Sequence, residues 1–430
     1  MRRSRVAALR AGSLAVTAAL TVTLATACSS SATSPTAVSG TSASGTSGAG
    51  SVNVGILGAF SGTFASIQGG APKLLNAWAS TVNASGGLAG HSVHIITEDT
   101  AVGVEPGLAD AKELIDQDHV VAIVDFDTPP DDSTWLPYAK SQDIPVISVG
   151  GQSMASPDAL TSPNVFPIAS PVQLTYYAIM NQAKSYGPKF GTVYCAESPV
   201  CAATVTALKS VGSLVGGVSV AADVKASIAA PDFTFACQDL KDTDVDTYYL
   251  GMASAADKVA DTCYAQGLRA HQILIAGQAD PTWATDAAFR GSPVIDEVGP
   301  YFANSTPAEK AYRSALTKFA SSVIGTTEDN DVSLNAWLSG QLLSAAGAHV
   351  TGALTSASLT AGLYALNGET LGGLTQPLTY VRGEPTWLTC YFVWDVGNSG
   401  TFVTSHGASP VCAPPSVLAS IIKQTAGVTR

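Results

Sequence analysis

From Val52 to Ile275 the sequence repeats one unit: a short apolar run, a turn, and a longer stretch of helical periodicity. Val52–Leu57 predicts a strand that runs into the Gly-rich turn Gly58–Gly70. Pro72 then opens a helix with Leu74, Leu75 and Trp78 on one face, because proline's fixed φ suits a first helical turn. The break Asn83–Gly87 precedes a strand over Ser92–Thr97, a helix over Pro106–Gln117 and the run Val120–Phe126. That run is almost wholly apolar, as a parallel strand buried on both faces must be. Ile144–Ser148 predicts a further strand, ending in a Gly150-Gly151 turn. After Pro171 the rhythm resumes with a helix to Tyr186. Strands over Phe190–Tyr194, Val218–Val224, Thr247–Leu250 and Gln272–Ile275 follow, with helices between them. Such alternation specifies an α/β fold of open parallel sheets with helices on both faces. The folded part, Ser51–Arg430, is too long for one core and implies two lobes.

Ahead of this body stands an address label. Arg2, Arg3, Arg5 and Arg10 form a basic leader, an apolar run reaches from about Val6 to Leu24, and Ala25-Thr26-Ala27 precedes Cys28. A positive head, a short apolar core and small residues at the cut mark residues 1–27 as a secretory signal rather than a membrane span. A cysteine directly after the cut is what lipoprotein processing requires. Cys28 is therefore the expected lipidation site, and the protein is expected on the extracytoplasmic face of the cell membrane, held by acyl chains. The alternative is a cleaved soluble signal with a coincidental cysteine, since Ala25 stands where a lipobox most often has Leu. Arg2-Arg3 lacks the flanking residues of a twin-arginine signal. Residues 28–50 are nearly all Ser, Thr, Ala and Gly, too poor in apolar area to offset ordering entropy, and read as a flexible tether.

Without the four leader arginines, 17 basic residues face 33 acidic ones. So acidic a surface argues against nucleic acid and against adhesion to anionic lipid. Besides Cys28 there are six cysteines, an even number that in an exported chain favours disulfides over metal or nucleophile roles. Proximity in sequence favours Cys195–Cys201, Cys237–Cys263 and Cys390–Cys412, although other connectivities and a catalytic thiol remain open. No Cys-x-x-Cys occurs, so neither a zinc site nor a redox pair is expected, and no cofactor is implied.

Gly58-Ala59-Phe60-Ser61-Gly62 follows the first strand, and Asn83-Ala84-Ser85-Gly86-Gly87-Leu88-Ala89-Gly90 closes the first helix. Glu98-Asp99, Ala111–Ile115 and Ile144–Ser148 come next in order. This ordered set resembles the opening of the type I periplasmic binding proteins, in the leucine/isoleucine/valine-binding branch, the substrate-binding lipoproteins of ABC transporters. The likeness is close over Val52–Gly151 and looser to about Val403. It implies two lobes, each an open parallel sheet flanked by helices, joined by a three-strand hinge, with a small molecule bound in the cleft. The physics agrees, because ligands of open parallel sheets sit beyond the carboxyl ends of the strands. Crossings near Pro171, near Tyr301 and after about Gln376 would make residues 52–170 and 302–375 lobe one, and residues 171–301 and 376–430 lobe two. An ABC permease in the membrane is the implied partner and a monomer the implied state.

The resemblance also implies where the ligand is gripped. On lobe one the lining falls on Ser61, Phe64 and Gln68, on Phe126, Asp127, Thr128 and Asp132, and on Ser148, Gly150, Gly151, Gln152 and Ser153. On lobe two it falls on Glu197 and Ser198, Met252 and Ala253, and Gln278, Asp280 and Trp283. The stretch holding Asp125, Asp127, Asp131 and Asp132 is acidic where the amino-acid binders grip a carboxylate. Asp131 and Asp132 read equally as caps of a helix starting near Ser133. Gln278 aligns with the acid that meets a ligand's ammonium group, and a neutral amide leaves a desolvated ammonium uncompensated. An ordinary α-amino acid is therefore disfavoured unless Asp280 or Glu197 substitutes, and a carboxylate, an amide or another neutral polar compound is expected. Any of Phe60, Phe64, Phe126, Trp135 and Trp283 could equally be core.

Enzyme readings are weak. Gly151-Gln152-Ser153-Met154-Ala155 is a nucleophile-elbow pattern with its last glycine replaced, and no metalloprotease, phosphate-loop or dinucleotide motif occurs. Three functions remain in view: the binding component of an importer, a sensor on the same scaffold signalling to a membrane partner, and an α/β hydrolase. Permease genes beside this one would favour the first, a kinase or regulator the second, and turnover lost on replacing Ser153 the third.

Overall fold

The computed structural model describes residues 49–101, 104–127, 129–150, 156–197, 199–405 and 409–428. The chain opens with β1 (Ala49–Gly58), α1 (Ala65–Gln68), α2 (Ala71–Ala84), β2 (His91–Asp99) and α3 (Val104–Lys112). It continues through β3 (Ile123–Phe126), α4 (Pro129–Ser141), β4 (Val146–Ser148), α5 (Pro157–Thr161) and β5 (Val165–Pro167). These five strands form one parallel sheet in the order β2-β1-β3-β4-β5. Leu74, Leu75 and Trp78 are the buried face of α2, as the periodicity predicts.

Past Pro171 come α6 (Val172–Ala183), β6 (Lys189–Cys195), α7 (Pro199–Val215), β7 (Ser219–Ala226), α8 (Thr234–Asp242), β8 (Thr247–Gly251) and α9 (Ala256–Ala265). The short strands β9 (His271–Gln272) and β10 (Leu274–Ile275) flank Ile273, whose amide donates to the Tyr248 carbonyl at 2.8 Å, and β11 (Pro293–Asp296) follows. β7-β6-β8-β9 is a parallel sheet, and β10 and β11 are likewise parallel. Next are α10 (Pro307–Phe319), α11 (Asp331–Gly347), α12 (Ser356–Ala365) and the antiparallel pair β12 (Asn367–Glu369) and β13 (Leu378–Thr379). The chain ends in β14 (Cys390–Val396), β15 (Phe402–Val403), β16 (Val411–Cys412) and α13 (Pro415–Val428). β14 joins β11 antiparallel and carries β15 and β16 on its other edge.

α10 and α11 pack on α2, beside the first sheet, although they follow the strands of the second in sequence. Gly340 makes the close approach: a Cβ there would lie 2.2 Å from the Trp78 ring. The Trp78 indole in turn donates to Ser344 Oγ at 2.9 Å. α10 starts on a capping box in which Thr306 and Glu309 satisfy each other's backbone amides. The segments that pass between the two sheets touch. Tyr380 Oη donates to the Pro167 carbonyl at 2.9 Å with its ring edge-on to Phe166, and the Gly299 amide donates to the Leu374 carbonyl at 2.7 Å.

The structure carries disulfides Cys195–Cys201, Cys237–Cys263 and Cys390–Cys412, the pairs that sequence proximity favours. The second ties α8 to α9, and the third joins residues directly opposite on β14 and β16. Three boundaries differ from the sequence-based expectation. The run Val120–Phe126 is strand only from Ile123, although the Val121 amide still donates to the Asn53 carbonyl of β1. The helix expected over Pro106–Gln117 is α3 followed by a wider turn over Glu113–Gln117. α4 begins at Pro129, so Asp131 and Asp132 lie inside its first turn and do not cap a helix starting near Ser133.

Candidate ligand-binding site

A cavity of about 230 Å³ opens beyond the carboxyl ends of the parallel strands and takes its lining from both sheets. Phe64, Ile67 and Gln68 follow β1, Phe126 and Asp127 close β3, and Val149 and Gly150 follow β4. Gly150 turns at φ 83° against Ala169, where a Cβ would lie 2.6 Å from that residue's methyl group. Facing them are Val172, Thr175, Tyr176 and Ile179 of α6, Thr204 of α7, Tyr249 of β8, Ile275–Gln278 after β10, and Ile295 and Glu297 at the end of β11. The first turns of α11 contribute Asp331, Val332 and Asn335. The volume lies below the range of about 300–1,000 Å³ usual for drug-sized ligands, so the space suits a small molecule.

Of the residues expected from sequence, Phe64, Gln68, Phe126, Asp127, Gly150 and Gln278 line this cavity. Asp280 lines an adjoining hollow that shares Ile67, Gly277 and Gln278. Its Oδ1 accepts from the Thr282 amide and hydroxyl at 2.8 and 2.7 Å, capping a short helical turn. Ser61 is exposed, and its amide donates to Asp99 Oδ1 at 3.3 Å. Asp132 and Ser148 are buried off the cavity. Glu197 sits at the end of β6 and accepts from Ser227 Oγ at 2.6 Å and the Ile228 amide at 3.0 Å, tying β6 to β7. Met252 is core, and Trp283, 1% exposed, stacks on Phe289 and donates its indole proton to Asp257 at 2.9 Å. Ala253 starts a short helical turn. Thr128, Gly151, Gln152, Ser153, Ser198 and the lipidation site Cys28 lie outside the described residues.

Neither acid offered in place of Gln278 faces the cavity; Glu297 and Asp331 do. Burial and then the Asp331 carboxylate push the Glu297 carboxyl up to about 8, although Thr175 Oγ1 donates to it at 2.9 Å. Burial raises Asp331 to about 7. Asp296 beside them is also raised by burial, but both its oxygens are engaged, by the Val298 amide at 3.1 Å and the Trp394 indole at 2.8 Å. Asp127 accepts from Thr100 Oγ1 at 3.0 Å. Asp125 stays off the cavity, where its Oδ1 accepts from the Asp127 amide at 2.9 Å. Among the described lining residues there is no Lys, Arg or His. Sequence reasoning passed over Glu297 because β11 is only four residues long and lies beyond the alternation legible to Ile275. The signal was the short apolar run Pro293–Ile295 ending in two acids.

Among the described residues no helix is long and apolar enough to cross a membrane, and no group of side chains could hold a metal ion. No curated protein matches the sequence. The substrate-binding protein of an Aeropyrum pernix ABC transporter has a similar structure, with TM-score 0.73, 18% identity, and cover of 88% of this chain and 99% of that one. A branched-chain amino acid transporter protein from Thermus thermophilus, crystallised with valine, gives 0.71 at 13% identity over 87% and 98%. A Rhodopseudomonas palustris (R. palustris) solute-binding protein in complex with benzoate gives 0.66 at 18% identity over 85% and 98%. The family model for periplasmic binding proteins matches residues 51–401. With helix-flanked parallel sheets and a cavity at their strand ends, the chain belongs to the periplasmic binding protein family.

Proposed function

We propose that this protein is the lipid-anchored, extracytoplasmic solute receptor of an ABC importer, monomeric, capturing a small polar ligand between two lobes and presenting it to a membrane permease. Lobe one comprises residues 52–170 and 302–375, and lobe two residues 171–301 and 376–430. The observation that carries the reading is the cavity itself, whose walls come from the carboxyl ends of strands in both sheets. Phe64, Gln68, Phe126, Asp127 and Gly150 grip from one side and Gln278 from the other, with Glu297 and Asp331 added to the residues expected from sequence. Acid on several walls argues against a ligand whose only head group is a carboxylate.

Such a receptor exists as open and closed populations, and a ligand touching both lobes favours closure by its differential affinity. Ser66, in α1, and Ser254, after β8, both line the adjoining hollow, one on each lobe. Spin labels at these two positions should report a long and a short distance, with a small-molecule extract enriching the short one. A single distance that no extract changes would sink the proposal.

A further inference from the structure

Two carboxyl groups and two amides meet in the cavity without the partners such groups normally have. Asp331 is 4% exposed and Asn335 3% exposed, and neither Asp331 Oδ1 nor Asn335 Oδ1 has a hydrogen-bond partner. Gln68 Oε1, on the facing wall, is buried and likewise unpartnered. A buried acceptor left unmade is costly, and it is tolerated where a ligand supplies the donor. All three atoms are acceptors, and Glu297 adds a fourth acceptor group that holds only the Thr175 hydroxyl. The raised carboxyls of Glu297 and Asp331 fit acids that lack a counter-charge, and the described lining residues include no basic side chain. The remaining wall is apolar and aromatic, with the rings of Phe126 and Tyr249 available to a cation and to an alkyl or aryl body.

We propose that the ligand of this site is a small monocationic amine with a compact apolar body, its ammonium group seated between Glu297 and Asp331 and hydrogen-bonded to the amide carbonyls of Asn335 and Gln68. The inference rests on reading this cavity as the ligand site. An ammonium group brings three donors, one for each of the unpartnered acceptors Asp331 Oδ1, Asn335 Oδ1 and Gln68 Oε1, and one positive charge, which faces Glu297, already hydrogen-bonded by Thr175. Because Glu297 directly follows β11, which pairs with β10 and β14, while Asp331 opens a helix packed beside the first sheet, the cation also bridges the two sides of the cleft. Since the Glu297 carboxyl is raised to about 8, the cation displaces its proton and attracts both carboxyls, so ligand and closure are coupled through the same two residues.

The test uses the purified full-length chain in two measurements. Small molecules released on denaturation are identified by mass spectrometry. Binding of 3-methylbutylamine and 2-phenylethylamine is measured by calorimetry beside the alcohols and carboxylic acids of the same shape. The expected result is an amine, released or bound, with its alcohol and acid counterparts at least about 10-fold weaker. Glu297→Gln and Asp331→Asn should each weaken amine binding by about 10- to 100-fold, the range of a charge-assisted hydrogen bond. A released compound without a basic nitrogen overturns the inference, as does an alcohol or acid that binds as well as the amine. Amine affinity unchanged in both variants overturns it too. If nothing is released and no member of any charge binds, the ligand-receptor reading itself fails.

Discussion

Replacing Glu297 by Gln tests the electrostatics of the cleft without any ligand. In the folded protein burial, and then the Asp331 carboxylate, push the Glu297 carboxyl from 4.5 to about 8. The unfolded chain therefore ionises this group at lower pH than the folded one does, and the folded state holds the extra proton across that interval. Stability falls wherever the native state binds more protons than the unfolded state, so the wild type loses stability as pH rises from about 4.5 to about 8. At about 1.4 kcal/mol per pH unit of that gap, the full effect would approach ~5 kcal/mol. Glu297 is only half-buried, and solvent screening brings the expected figure to about 2–4 kcal/mol. Other charges face the group: Asp296 on β11 and Asp331 on α11, while Asp329, near Tyr301, is paired with Arg313. Tyr301, raised by burial, lies beside these acids. The Gln amide still accepts from Thr175, so shape and that hydrogen bond are kept. Urea unfolding of wild type and Glu297→Gln at pH 4.5, 6, 7 and 8.5 should show curves that meet at the acid end. They should diverge by about 2–4 kcal/mol, variant the more stable, at the alkaline end. Parallel curves across the range would refute the reasoning.

Other outcomes follow from the same structure and sequence. Cys28→Ala should release the protein from membranes or leave the precursor uncut, as fractionation would show, and an unchanged membrane-bound mature form would rule out lipidation there. Replacing Cys237 and Cys263 together should lower stability by about 2–5 kcal/mol under oxidising conditions, and an equal melting temperature would contradict a bridge between α8 and α9. Gly340→Ala should cost about 1–3 kcal/mol, because its Cβ meets the Trp78 ring at 2.2 Å, and an unaltered unfolding midpoint would remove that contact from the account. Calorimetry with leucine, isoleucine and valine should show nothing tighter than about the millimolar range. The described lining residues give their carboxylate no basic partner and place Asp127, Glu297 and Asp331 around it, so micromolar binding would overturn that argument.

Much of the scaffold was legible because its signals are local. A buried parallel strand must be apolar and a flanking helix must be periodic, so Val52–Leu57, the α2 face and the units to Ile275 could be read from spacing alone. Cys195–Cys201 closes so short a loop that proximity suggests its pairing. On the first sheet, Phe64, Phe126, Asp127 and Gly150 were reachable because strand ends of an open parallel sheet converge on one edge. Trp283, Met252 and Glu197 show the limit. An aromatic, a thioether or a carboxylate near a strand end can turn into the core or onto a neighbouring turn, and only packing chooses. Glu297 and Asp331 belong wholly to the tertiary structure. An acid in the first turn of a helix is favoured by the dipole anywhere, so nothing near Asp331 distinguishes a ligand group. Their meeting depends on α11 folding beside the first sheet while β11 stays with the second, a crossing that no local pattern encodes. Sequence determined the two kinds of layer. Tertiary structure decided which charges face each other across the space between them, because that depends on distances through space rather than along the chain.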